Sequence, residues 1–229
     1  VFLLAFRRWS RKGRDPEARA IAVQYEPPEG LGPAEVGTLV DHRAEMHDIT
    51  STLVDLAVRG FLRIEETESE ALFGLLKDTD YRLIRVKEAP EWKGLAPHEK
   101  EFLEGLFGST GSREEALISG LKNEFYKTLG TIKNQLFKAL KDQGFYRRRP
   151  DKVLGAFIAI GVVSLGVFIP SFQILANIFY LSPLTAVIAG ILTALPILGF
   201  GAFMPARTVK GARALEEILG FQEFLNRVE

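Results

Sequence analysis

"HDITSTLVDLAVRGFLRIEE", residues 47–66, reads as three consecutive elements. Ile49, Leu53, Leu56 and Ala57 recur at helical spacing and share one face. Asp48 or Thr50 supplies a cap and Gly60 a stop. The residues that follow, "FLRIEE", read as a short strand. On this reading the helix presents Ser51, Thr52, Asp55 and Arg59 outward.

Upstream, "GPAEVGTLVDHR" places Pro33 in a first helical turn, with Val36, Leu39 and Val40 as an apolar stripe. Downstream, "DYRLIRV" is a second strand, separated from the first by "TESEALFGLLKDT", an insertion with its own apolar patch. A helix is expected from about Pro97 to Phe107, then the loop "GSTGSRE". A long helix from about Ser119 to Gln143 sets Leu121, Phe125, Leu129, Ile132, Leu136 and Leu140 on one stripe. Two helices followed by two strands predict a winged-helix-like α+β body over 26–150, either one unit or two in tandem, with an atypical wing.

The chain then changes character. Residues 153–206 hold no Asp, Glu, Lys, Arg or His, an uncharged run of 54 residues. One bilayer crossing needs roughly 20 apolar residues, so two crossings fit, at about 153–172 and 183–204. Pro170, Gln173, Asn177 and Pro183 mark the region of the turn between them. A buried hairpin in a soluble core is the weaker reading, because core helices are much shorter. Charge is segregated. Residues 1–25 carry six Lys/Arg against two Asp/Glu, 26–115 ten against twenty, 116–152 nine against three, and 207–229 four against four. Basic clusters therefore flank the apolar runs, in "RRWSRKGR", "YRRRPDK" and "ARTVKGAR". Lys and Arg near span ends are retained on the cytoplasmic side, which predicts a plasma-membrane protein with residues 26–150 and 207–229 in the cytoplasm. "VFLLAF" at 1–6 suits the last turns of a further span that begins upstream, with 1–25 as its basic juxtamembrane linker. The absence of cysteine is compatible with a reducing compartment and excludes disulfides and thiolate chemistry in these residues.

"YEPPEGLGPAEVGTLVD", "DITSTLVDLAVRGFLRIEE", "LAPHEKEFLEGLF", "GFY" and "GARALEEILGFQEFL", in this order, resemble the cytoplasmic half of the YciQ-like predicted membrane proteins of bacteria and archaea. That family is a domain of unknown function. The resemblance implies a signal peptide and an extracytoplasmic β-rich domain upstream, and a Gly/Ser-rich tail downstream. It implies no catalytic residues.

No nucleophile elbow, phosphate loop or dinucleotide fingerprint occurs, and no cofactor or small-molecule ligand is indicated. Asp41, His42, Glu45, His47 and Asp48 are a candidate metal cluster, but His42 and His47 are five apart and do not stack on one helical face. A polar turn is the simpler reading. His98, beside Pro97, is expected to be an exposed first-turn residue. The acidic surroundings of the 47–59 helix disfavour nucleic acid, whose affinity rests on Lys and Arg against phosphates. Small residues at helical spacing, Gly155 and Ala159 on one span and Ala186, Gly190 and Ala194 on the other, are expected to let helices approach closely in lipid. Finally, Leu215, Ile218, Leu219 and Leu225 line one side of a C-terminal amphipathic helix, expected to dock on the cytoplasmic body. The function expected is a non-enzymatic membrane protein whose body is a protein-interaction or scaffolding module, with a protein partner or self-association. The alternatives are a membrane-tethered DNA-binding regulator and, behind it, a metal-dependent enzyme.

Overall fold

A computed structural model describes residues 1–71, 76–121, 125–180 and 182–228, without the side chains of 68–71 and 76–78. The chain is mostly helical, with one small sheet. Its elements in order are α1 Phe2–Lys12, α2 Pro33–Asp41, α3 Met46–Val58, β1 Leu62–Ala71, β2 Leu76–Arg85, α4 Pro97–Phe107, β3 Glu115–Leu117, α5 Ile118–Leu121, α6 Phe125–Asp142, α7 Pro150–Ile178, α8 Pro183–Ala202 and α9 Val209–Val228. By internal packing it divides into two units, Glu29–Leu140 and the combination of Val1–Pro28 with Lys141–Glu229.

In the first unit, the body, α2 and α3 are joined by a short turn, and α3 leads through Gly60 into the sheet. Gly60 has φ +76°, a left-handed conformation that stops the helix at no steric cost to glycine. β1 and β2 form an antiparallel ribbon from Leu62↔Arg85 to Ala71↔Leu76. The expected insertion is therefore strand on both sides of 72–75, which lie outside the described residues together with part of the expected apolar patch. The reason is that a two-stranded ribbon beyond the core pairs its backbone without needing a buried face, so polar "ETESE" can extend it. β3 adds to β2 through Arg82↔Leu117 and Ile84↔Glu115, giving the order β1-β2-β3.

The body's core gathers Ile49 and Leu56 of α3, Leu62, Leu83, Trp92, then Phe102, Leu103, Leu106 and Phe107 of α4, and Leu121 and Ile132. Trp92 donates its indole N–H to Lys87 O at 3.1 Å, so its polar edge is satisfied inside. α4 meets α6 through Phe102 and Phe125, edge to face at 5.3 Å, where Gly105 leaves room for Thr128. Two expected faces turn out differently. Leu39 is buried as expected, but Val40 is 41% exposed, and Ala34, Glu35 and Thr38 face inward beside Leu39. Thr52 is buried, because it lies three residues after Ile49 and four before Leu56, on their face; its hydroxyl bonds Asp48 O at 3.0 Å.

In the second unit α7 and α8 pack as a pair, and both are long and apolar enough to cross a membrane. α7 runs through Pro170 to Ile178, beyond the expected end at 172. Pro183 occupies the first turn of α8, where its missing N–H costs nothing. α1 packs on α8, with Phe2, Phe6 and Trp9 ringed around Phe200 at 5.5–6.1 Å.

Candidate functional site

Two helices of the body begin with the same device. "GPAE" at 32–35 and "APHE" at 96–99 each set a proline in the first turn and a glutamate that reaches back to the cap. Glu35 accepts the Gly32 N–H at 2.6 Å, and Glu99 accepts the Ala96 N–H at 2.9 Å. Both carboxylates are buried, at 3% and 5% exposure. They converge: a Cβ on Gly32 would lie 3.3 Å from Glu35 Oε2 and 3.7 Å from Glu99 Oε1.

Arg59, at the end of α3, closes the cluster. Its guanidinium forks onto Glu99 at 2.7 and 3.2 Å and also bonds Asp55 at 2.9 Å. Burial pushes the Glu99 carboxyl up, but the Arg59 and Ala96 hydrogen bonds outweigh it and hold Glu99 below the ordinary glutamate value. The bond to Glu99 in turn raises Arg59. His98, between these groups, is 1% exposed, not the surface residue that its place after Pro97 suggested. The charges that act on it include Glu35 and Arg59, far away in the sequence, which a local pattern does not carry. Desolvation lowers its pKa against the pull of Glu35 and Glu99. Nδ1 is buried without a hydrogen-bond partner among the described residues. The neutral imidazole is therefore the favoured form. Through the bonds of Glu99 the cluster ties the start of α4 to the end of α3, with the start of α2 beside them. The twice-repeated proline–x–glutamate step was its visible trace in the sequence.

The candidate metal residues do not converge. Asp48 sits at the third position of α3, not at its cap, and accepts the Glu45 N–H at 2.8 Å. Burial raises its pKa over that hydrogen bond. His47 is exposed, with Nε2 3.0 Å from Asp48 and Nδ1 3.5 Å from Glu45. His42 ends α2 in the left-handed region with φ 64°, and Asp41 Oδ1 accepts the Arg43 N–H at 2.8 Å. Among the described residues no three His, Asp or Glu are grouped for a metal ion.

The outward face of α3 carries Met46, Thr50, Val54 and Val58, spaced by four, with Val54 51% and Val58 81% exposed. Its one arginine, Arg59, is turned onto Glu99 and Asp55.

In the apolar hairpin Ala186, Gly190 and Ala194 are buried. Gly190 meets Ile169 of α7, and Gly161 of α7 meets Leu198 of α8. Gly155 and Ala159 are exposed, and a Cβ on Gly155 meets nothing within 4 Å. On α9, Ile218 is buried, Leu215 and Leu219 are half-buried, and Leu225 is 47% exposed. Within its unit α9 packs on the irregular stretch after α1. Gly220 comes against Ala22 O, Glu216 accepts the Arg19 N–H at 2.7 Å, and Tyr25 meets Phe224 edge to face at 5.1 Å. At its start, Thr208 Oγ1 donates to Gly144 O at 2.6 Å. That stretch has no periodicity, so the sequence did not single it out as a docking surface.

A family model described as "Predicted membrane protein (DUF2207) C-terminal domain" matches residues 22–228. No curated protein and no solved structure matches. The chain belongs to that family of predicted membrane proteins of unknown function.

Proposed function

We propose that the protein is a membrane-anchored docking protein without catalytic activity of its own. In this reading α7 and α8 cross the plasma membrane as a hairpin, and the body and α9 stand in the cytoplasm, the side that the basic flanks favour. The order α2-α3-β1-β2 supports a winged-helix-like body, with β3 supplied from the C-terminal side in place of a strand between helices.

The observation that carries the docking role is the outward face of α3. Where a DNA reader needs unpaired cations, this face offers Val54 and Val58 and ties its arginine to Glu99. Apolar side chains held outward on a rigid helix suit a protein surface. A photo-cross-linking amino acid placed at Val54 or Val58 in native membranes tests this. Discrete protein adducts from both, absent from the same group at exposed Lys138 on α6, are expected. Adducts that are identical at Lys138, or missing from α3, overturn the reading.

A further inference from the structure

We infer that the basic end of the hairpin binds an anionic phospholipid, its phosphate among Arg8, Arg147 and Arg148 and an acyl chain in the groove between α1 and α7. The inference rests on the hairpin lying in a bilayer.

A cavity of about 680 Å³ opens between the end of α1, the 144–148 turn and the start of α9. Eight Lys/Arg line it against one carboxylate, Asp15. That carboxylate is already taken by Arg207. Arg14 lies over the Trp9 ring at 4.7 Å, and Lys210 donates to Gln143 O at 2.8 Å. Arg8, Arg11, Lys12, Arg147 and Arg148 face no carboxylate partner among the described residues. So many like charges around one hollow repel one another, and an anion relieves that repulsion. Arginine suits phosphate in particular, because its planar fork donates to two oxygens at once.

A second cavity of about 850 Å³ shares Arg8, Arg147, Arg148, Val153 and Phe157 with the first. From there it descends along Leu4, Ala156, Ile160, Ser164 and Phe168. Val153, Ala156, Phe157, Ile160, Ser164 and Phe168 form one face of α7. At 1.5 Å per residue that face is roughly 22 Å long. One leaflet's hydrocarbon depth is about half of ~30 Å, so the groove takes most of an acyl chain. A soluble anion fills only the upper hollow, and a neutral lipid only the groove. A phospholipid with net negative charge meets both.

Native mass spectrometry of the full chain, released from vesicles holding equal phosphatidylglycerol and phosphatidylcholine, tests the site. Retention of phosphatidylglycerol is expected at least tenfold over phosphatidylcholine. Each basic side chain near an anionic lipid is worth a factor of roughly five, so Arg8→Gln with Arg147→Gln and Arg148→Gln should lower retention about a hundredfold. Lys127→Gln with Lys138→Gln, on the exposed face of α6, should leave it unchanged. Ala156→Trp, which fills the groove, should abolish lipid retention while inorganic phosphate still binds. Equal retention of the two lipids by the wild-type chain overturns the proposal. So does equal loss in the Lys127/Lys138 control, or lipid that survives Ala156→Trp and is displaced by phosphate. Carbonate extraction of the membranes separates the two premises. A chain that washes off defeats the bilayer reading; one that stays but shows no lipid preference defeats this site alone.

Discussion

The body and the basic end of the hairpin handle charge in opposite ways. In the body Glu35, Glu99 and Asp48 are buried, and each accepts a backbone N–H from the residue three before it. Glu99 has Arg59 as well. At the hairpin's end Arg8, Arg147 and Arg148 are exposed and face no carboxylate among the described residues. A buried charge must be paired or the fold loses several kcal/mol, whereas an exposed one costs little when alone. Pairing in the body therefore speaks of stability. The unpaired cations add little to folding; their place beside the apolar helices suits a cytoplasmic flank, and the hollow they share suits an anion.

Removing one cation from each region breaks that contrast if it is wrong. Arg59→Met leaves Glu99, whose side chain is 6% exposed, without its partner. The arginine itself is 37% exposed, so water screens part of the loss and roughly 2–3 kcal/mol is expected, below the usual range for a fully buried pair. Arg148→Met should stay within about 0.5 kcal/mol. Urea unfolding followed by Trp92 fluorescence in a Trp9→Phe background gives the Arg59 figure. Far-UV circular dichroism of the second unit's melting gives that for Arg148. Equal losses would show that the basic end is structural after all.

The hairpin sharpens the comparison from the uncharged side. Gly190 faces Ile169 so closely that any Cβ there forces a shift, while Gly155 faces open space. Gly190→Leu should cost about 1–3 kcal/mol by overpacking, and Gly155→Leu little. Thermal melting in detergent distinguishes them. A large loss at Gly155 would mean that a second copy or another helix covers that face.

pH tests the buried side. Burial lowers the His98 pKa below 6.5, so the unfolded chain binds its proton first as pH falls. The stability tied to neutral His98 is full above about 6.5 and declines below it, by at most about 1.4 kcal/mol per pH unit. Glu99, also lowered, adds a decline only below about 4.5, the ordinary glutamate value. Asp48, raised by burial, works the other way and partly offsets the loss at the acid end. Urea midpoints at pH 7.5 and 5.5 should differ for the wild-type chain, and His98→Gln should flatten the difference. A slope that persists in His98→Gln would place the titrating group elsewhere.

What the sequence made legible follows the range of the interaction. The Leu121–Leu140 stripe, the helix Pro97–Phe107 and the Gly60 stop depend on neighbours within a few residues, and periodicity reports those. The two apolar helices were legible from composition alone. The burial of His98 was not, because groups that act on it, Glu35 and Arg59, are distant in the sequence. Thr52 was misplaced for a smaller reason: its hydroxyl made it look exposed, although its position shared a face with Ile49 and Leu56. Three-residue β3 is too short to show an alternation. The small residues on α8 took the buried places, but on α7 Gly161 did so and Gly155 did not, since spacing alone does not say which side of a helix meets its partner.

The smallest expected effect belongs to α9, where the apolar stripe and the burial part company. Ile218 is 5% exposed, whereas Leu225, seven residues on, is 47% exposed and Val228 68%. The helix is held by its first turns, through Thr208 on Gly144 O and Gly211 against Phe145 O, and by Arg19 on Glu216. Towards its end Phe224 meets the Tyr25 ring. Leu225→Asp removes little buried surface, so the change should lie within about 0.5 kcal/mol. Trypsin cleavage after Arg207 and Lys210, in the chain held in detergent, should then proceed at the wild-type rate. A several-fold faster cut in Leu225→Asp would mean that the exposed end of the stripe is covered in solution, by lipid or by a second copy, and that α9 depends on that cover.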